Sequence, residues 1–243
     1  MRLGLVIDLD TCVGCHACVV ACKQWNTSGT VGPLSDYRPY GTEPSGVMLN
    51  RVRHYEEGTY PYNKTVNVPV SCMHCDDPPC VDVCPTGASY KRETDGVVLV
   101  DESKCMGCNY CAWACPYGCR ELDRASGTMK KCTLCIDRIY DDRLPEAERQ
   151  PACVLSCPAR ARHFGDLDDP GSEVSRLVRE RLGFIMLPEL GCHPVNRYLP
   201  PRPPAVSRPA PDVEPEGREE WGAQQTRPDP AAVQHWRNRV VHR

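Results

Sequence analysis

The sequence predicts an α+β chain of two interleaved, cysteine-laced units with long loops and a Pro-rich C-terminal tail. Three observations predict it. Sixteen of the eighteen cysteines fall into four groups of four. A strand–turn–strand pattern separates groups two and three. Strand-like segments stand before group one and after group four.

Group one is Cys12, Cys15, Cys18 and Cys22; group two is Cys72, Cys75, Cys80 and Cys84. Group three is Cys105, Cys108, Cys111 and Cys115; group four is Cys132, Cys135, Cys153 and Cys157. Groups one and three run C-x2-C-x2-C-x3-C, and Pro85, Pro116 and Pro158 follow the last cysteines of groups two, three and four. This is the bacterial ferredoxin spacing for 4Fe–4S clusters. A cubane needs four thiolates in roughly tetrahedral directions. Two intervening residues let the chain curl so that successive sulfurs reach adjacent irons, with loop N–H groups facing the sulfides. Gly14 and Gly107 suit those turns, because glycine readily takes positive φ.

Along the chain, Leu3 to Asp8 reads as a strand leading into group one. The stretch from Asn26 to Val68 is rich in Gly, Pro and Tyr, with a candidate strand at Met48 to Tyr55; it is either a partner-docking surface or loop filler. Ser89 to Arg92, the Asp95-Gly96 turn and Val97 to Val100 read as a hairpin. Asp141 to Gln150 is a polar excursion, and Ala161 to Gly165 a strand leaving group four. Ser172 can cap a helix that packs Val174, Leu177, Val178 and Leu182 on one face and stops at Gly183. From Pro200 to Pro230 there are nine prolines, too many for a self-supporting core; Val233, Trp236 and Val240 beyond them have helical spacing.

The expected organisation is a split ferredoxin-like unit, residues 1–25 plus 126–190, with a second such unit, 69–125, inserted in it. Residues 26–68 form a docking-loop region and 191–243 an extended or disordered tail. In two-cluster ferredoxins the fourth cysteine of each run ligates the other cluster of the pair. This predicts four clusters: Cys12, Cys15, Cys18 with Cys157; Cys132, Cys135, Cys153 with Cys22; Cys72, Cys75, Cys80 with Cys115; and Cys105, Cys108, Cys111 with Cys84.

Composition narrows the function. Hydrophobic residues make up 41% of the chain and Phe occurs twice, so metal must supply part of what a thin apolar core cannot. Formal charge is −3, to which ligated clusters would add about eight negative charges. Lys23, Lys104, Arg120, Lys130, Lys131, Arg138, Arg160 and Arg162 lie close to the cysteines as counter-charges or as ordinary surface residues, with the pair before Cys132 the strongest candidates. Zinc would not need a third cysteine at this spacing and a Cys-Pro fourth. No phosphate-binding loop, dinucleotide fingerprint or base–nucleophile motif is present, so the expected role is electron transfer, with no substrate site and no nucleic-acid partner. His16 and His74 are expected to fill loops or form hydrogen bonds. Trp25, Tyr110 and Trp113 are expected to pack or to shield clusters. Cys119 is expected to be a small buried residue and Cys192 a free thiol, neither a ligand. No signal peptide and no membrane-length apolar run are evident, which favours the cytoplasmic membrane face, reached through partners; co-export with a signal-bearing partner is the alternative.

The segments CVGCHACVVACK, CMHCDDPPCVDVCPTGASYKR, CMGCNYCAWACPYGCREL and KKCTLCIDRI…PACVLSCPARARHFGD, in this order, resemble the four-cluster iron–sulfur subunits of the molybdopterin oxidoreductase family, the dimethyl sulfoxide and polysulfide reductase type. CKQWNTSG, GPLSDYRPYG and DRIYDDRLPEAERQPACV are similar to the membrane-bound sulfite dehydrogenase branch. The resemblance implies a molybdopterin catalytic partner on one side and a quinone-reactive membrane anchor subunit on the other. A free-standing soluble polyferredoxin is the rival function.

Overall fold

A computed structural model describes residues 1–29, 46–60 and 63–202. Residues 30–45 and 61–62 of the expected docking-loop region, and the helical spacing at Val233 to Val240, therefore lie outside the described residues. The chain divides into Met1–Pro200, treated below, and Pro201–Arg243, of which residues 201 and 202 are described.

Strand β1, Leu3–Asp8, is buried along its whole length. Helix α1, Ala17–Asn26, carries Cys18 and Cys22. Strands β2, Asn50–Glu57, and β3, Lys64–Ser71, pair antiparallel with Asn50 opposite Ser71. A one-turn helix α2, Pro79–Asp82, precedes the hairpin of β4, Ser89–Lys91, and β5, Val98–Val100. Then come α3, Tyr110–Trp113, the hairpin of β6, Glu121–Asp123, and β7, Thr128–Lys130, and α4, Ile136–Ile139. Helix α5, Ala152–Leu155, strand β8, Arg162–Asp166, helix α6, Glu173–Glu180, and strand β9, Arg197–Leu199, complete the fold.

β1 is the middle of a three-stranded sheet, antiparallel to β8 and parallel to β9. Every residue of β1 is buried, so both its faces are covered, which its nearly continuous apolar run fits. The strand entering group one thus lies against the strand leaving group four, with Val6 opposite His163. α6 covers this sheet: Val174, Leu177 and Val178 pack with Val6, Leu167 and Leu199. A separate cluster joins Val98 and Met129 to Cys80 and Cys111.

Three expectations need correction. A tail beginning at residue 191 is not what the fold shows: Val195, Asn196, Tyr198 and Leu199 are buried and β9 is part of the sheet. Leu182 does not join the α6 face. The helix ends at Glu180, and Leu182 turns outward with φ 50° because a closer approach is needed at Gly183, where a Cβ would lie 3.1 Å from Val178 and 3.2 Å from Leu199. The strand expected at Met48–Tyr55 begins and ends two residues later.

Candidate metal centres

One local device recurs in all four groups. The third cysteine always sits in the first turn of a helix: Cys18 in α1, Cys80 in α2, Cys111 in α3 and Cys153 in α5. Where two residues separate the cysteines, a left-handed residue starts the helix, His16 with φ 60° or Asn109 with φ 66°. In the other two groups proline starts it, Pro79 or Pro151, with its preset φ. The N–H groups of Cys84, Cys115 and Cys157 each close a turn onto the carbonyl three residues back. Proline follows each of them and stops the helix there.

The preceding loops turn at Gly14 and Gly107, with φ 68° and 69°. No side chain fits at either. A Cβ on Gly14 would lie 2.6 Å from Asn67 Oδ1, and one on Gly107 2.5 Å from the Gly127 carbonyl oxygen.

Two cavities each bring four thiols together. Cys12, Cys15, Cys18 and Cys157 line one cavity together with Arg162. Cys84, Cys105, Cys108 and Cys111 line another together with Arg120 and Met129. Burial, and then repulsion from Cys132, Cys153 and Cys135, pushes the Cys22 thiol strongly up. Burial, then repulsion from Cys72, Cys192, Cys80 and Cys115, does the same to Cys75. All sixteen are free thiols. Cys115 is the contrast: hydrogen bonding from the Cys119 side, with the Cys119 and Tyr117 N–H groups, outweighs burial and holds it at about 6. Cys119 is buried, as expected, and its thiol donates to the Tyr117 carbonyl at 3.4 Å. Cys192 is buried and donates to the Leu190 carbonyl at 3.5 Å.

Donors converge on the sulfurs. Backbone N–H groups reach Cys84 from Ser89 at 3.3 Å, Cys105 from Met129 at 3.3 Å and Cys157 from Ala161 at 3.2 Å. Arg120 donates to Cys80 Sγ at 3.0 Å, and Arg162 to Cys153 Sγ at 3.6 Å. Asn26 donates to Cys135 Sγ at 3.4 Å and Cys22 Sγ at 3.7 Å.

Of the eight basic residues singled out by position, Lys23, Arg120, Lys131 and Arg162 are buried. The others are not buried: Lys104 pairs with Asp101, Lys130 with Glu102, Arg138 stacks on Trp25, and Arg160 is exposed. The aromatics pack, Trp25 under Arg138 and Tyr110 against Trp113, but stay partly exposed. Trp113 is 80% exposed, and Trp25 and Tyr110 are about half exposed, so none is buried against a thiol set. His74 is fully buried and accepts from Val98 N–H through Nδ1. His16 meets His54 at 3.1 Å; His54 bonds Asn67 at 2.7 Å, and Asn67 donates to the Cys12 carbonyl at 3.0 Å. Sequence reasoning missed this bracket, because nothing local links β2 and β3 to the first cysteine loop.

These residues fit 4Fe–4S clusters. Thiolate is the donor such clusters take. Among the described residues no three His, Cys, Asp or Glu groups close on a point that would hold a single ion; the thiols surround spaces instead. Buried donors beside them lack any protein acceptor: His74 Nε2, Arg120 Nη1 and Arg162 Nε. Leaving such groups unpaired costs about 1–3 kcal/mol each, more when charged. Inorganic sulfide is an acceptor for them.

Two family models, each described as a 4Fe-4S dicluster domain, match residues 63–167 and 11–88. The chain is 62% identical to a sulfite dehydrogenase subunit of Allochromatium vinosum over 201 residues, 83% of this chain and 84% of that protein. The chain belongs to the iron–sulfur subunits of the dimethyl sulfoxide reductase-like molybdopterin oxidoreductases. A putative dimethyl sulfoxide reductase iron-sulfur subunit of Halobacterium salinarum is 38% identical, covering 81% of this chain and 78% of that one. A tetrathionate reductase subunit of Salmonella typhimurium is 37% identical, covering 82% and 72%. As an iron–sulfur subunit of this family, the chain serves electron transfer in an oxidoreductase complex and is not the catalytic subunit.

Proposed function

We propose that the chain holds four 4Fe–4S clusters in the crossed sets given above and relays electrons between a molybdopterin catalytic subunit and a quinone-linked membrane subunit, in a sulfite dehydrogenase-type complex. The observation that carries this reading is the cavity shared by Cys12, Cys15, Cys18 and the sequence-distant Cys157. The sulfite branch is supported by the 62% identity to a sulfite dehydrogenase subunit. Two interleaved ferredoxin-like units are supported by the pairing of β1 with β8.

When bound, such a cluster takes up and releases one electron at a time. The protein's part is to hold and insulate it. The cysteine helices fix the sulfurs, and the loop N–H groups with Arg120, Arg162 and Asn26 offset their negative charge. Apolar side chains such as Val98 and Met129 keep water from the thiols. No helix among the described residues is long and apolar enough to cross a membrane. Location at the inner membrane face, through the partner subunits, belongs to the same proposal.

Anaerobic holoprotein should contain about sixteen irons per chain. Cys157→Ser should damage the centre held by Cys12, Cys15 and Cys18 in the electron paramagnetic resonance spectrum; damage confined to the centre of Cys132 would refute the crossing. Co-purification with a molybdenum subunit and a membrane subunit is expected. A chain that purifies alone, fully active toward soluble donors, would instead be a free-standing polyferredoxin.

A further inference from the structure

Lys131 is a buried cation with no carboxylate among its hydrogen-bond partners. It stands directly before Cys132 and is 3% exposed. Its ammonium donates to the carbonyl of Cys132 at 2.7 Å and to the carbonyl of Val98. Val98 lies in β5, in the hairpin between groups two and three, whereas Cys132 opens group four. The same Val98 residue is gripped at its other pole, where its N–H donates to His74 Nδ1 at 3.1 Å. An accepting Nδ1 puts the imidazole proton on Nε2, the buried donor that lacks a partner. His74 itself sits between Cys72 and Cys75. A continuous series of buried polar contacts therefore runs from the Cys72 loop through His74, Val98 and Lys131 to Cys132.

The electrostatics add a second argument. Burial is the largest influence on the Lys131 ammonium and, with the nearby Arg120 guanidinium, holds its pKa below the ordinary value, while the thiols of Cys72, Cys132 and Cys80 act in the opposite sense. Two neighbouring cations buried away from carboxylates are costly unless negative charge lies between or beside them. Here the thiols of Cys72, Cys132 and Cys80, and whatever they ligate, supply that charge.

We propose that Lys131 is the positioning and tuning residue at the junction between the Cys72 and Cys132 clusters: it ties the two sites together through Val98 and holds one positive charge between them. A positive charge favours the more negative, reduced form, so it raises both reduction potentials together. The proposal rests on the ligand sets given under the proposed function.

The test is a potentiometric titration of anaerobic holoprotein followed by electron paramagnetic resonance, with iron analysis run first. Cys72→Ser and Cys132→Ser identify the two signals. In Lys131→Met and Lys131→Gln those two midpoint potentials should fall while the other two stay in place. Lys131→Arg, which keeps the charge, should leave all four near wild type. Four unchanged potentials in Lys131→Met, or four equal shifts, overturn the proposal. Loss of metal from both neutral variants with Lys131→Arg intact assigns the charge to assembly and overturns the tuning claim. A wild-type iron content far below about sixteen per chain overturns the ligand reading itself, and this proposal with it.

Discussion

Arg120 donates from Nη2 to the sulfur of Cys80 at 3.0 Å, and both side chains are buried. The same nitrogen donates to Ser89 Oγ at 2.7 Å, which ties α2 to β4. Arg120→Met should leave both acceptors unserved and cost about 3–5 kcal/mol, the range for breaking a buried charged pair. The readout is the anaerobic melting temperature. Arg120→Lys should fall between, because an ammonium cannot reproduce the planar fork.

Gly107→Ala and Gly191→Ala separate backbone strain from collision. Both glycines have positive φ, 69° and 65°, but a Cβ on Gly107 meets the Gly127 carbonyl at 2.5 Å and one on Gly191 meets nothing within 4 Å. Gly191→Ala should cost only the left-handed penalty of about 1–2 kcal/mol. Gly107→Ala must displace backbone in a cysteine loop as well. Iron per chain should fall in Gly107→Ala and remain unchanged in Gly191→Ala.

Ser172 caps α6, accepting from the Ser175 N–H at 3.2 Å, and also donates to the Asp166 carbonyl at 2.7 Å. Ser172→Ala should cost about 1 kcal/mol, a lost cap. A melting temperature lower by about 2–4 °C is the expected reading. The midpoint potentials should not move, since α6 packs on the sheet through Val174 and not on a cysteine.

Asp166 carries a pH dependence. Burial pushes its carboxyl up, but the N–H groups of Arg2 at 2.8 Å and Asp168 at 2.9 Å outweigh burial and hold it below its ordinary value. A depressed folded-state value means the stabilisation is fully present above about pH 4 and is lost as pH falls through the lower folded value. The melting-temperature deficit of Asp166→Asn relative to wild type should be constant at neutral pH and shrink below about pH 4. A deficit that grows toward acid contradicts the assignment.

The cysteine loops were legible because their geometry is local. Ligand spacing, the Cys-Pro stop and the glycine turns act within a few residues, so the third-cysteine helices and the tight approaches at Gly14 and Gly107 follow from short runs of sequence. The β4–β5 hairpin and the Ser172 cap were legible for the same reason. The β2–β3 hairpin was only half legible: Val66, Val68 and Val70 alternate, but Pro69 between them obscures the strand. The β6–β7 hairpin, with strands of three residues, is too short for alternation to show.

By itself the sequence determined the spacing of the sixteen grouped cysteines and the electron-carrying character of the protein, because covalent spacing sets how thiolates can curl around a cluster. Only the tertiary structure decided which cations go inside. Lys130 ends β7 and reaches Glu102 at the surface, while the next residue, Lys131, turns inward to Val98. It alone also decided that the segment after Cys192 returns to the sheet as β9, parallel to β1. Both outcomes depend on partners far away along the chain, and such contacts form only once folding has brought those partners to the same place.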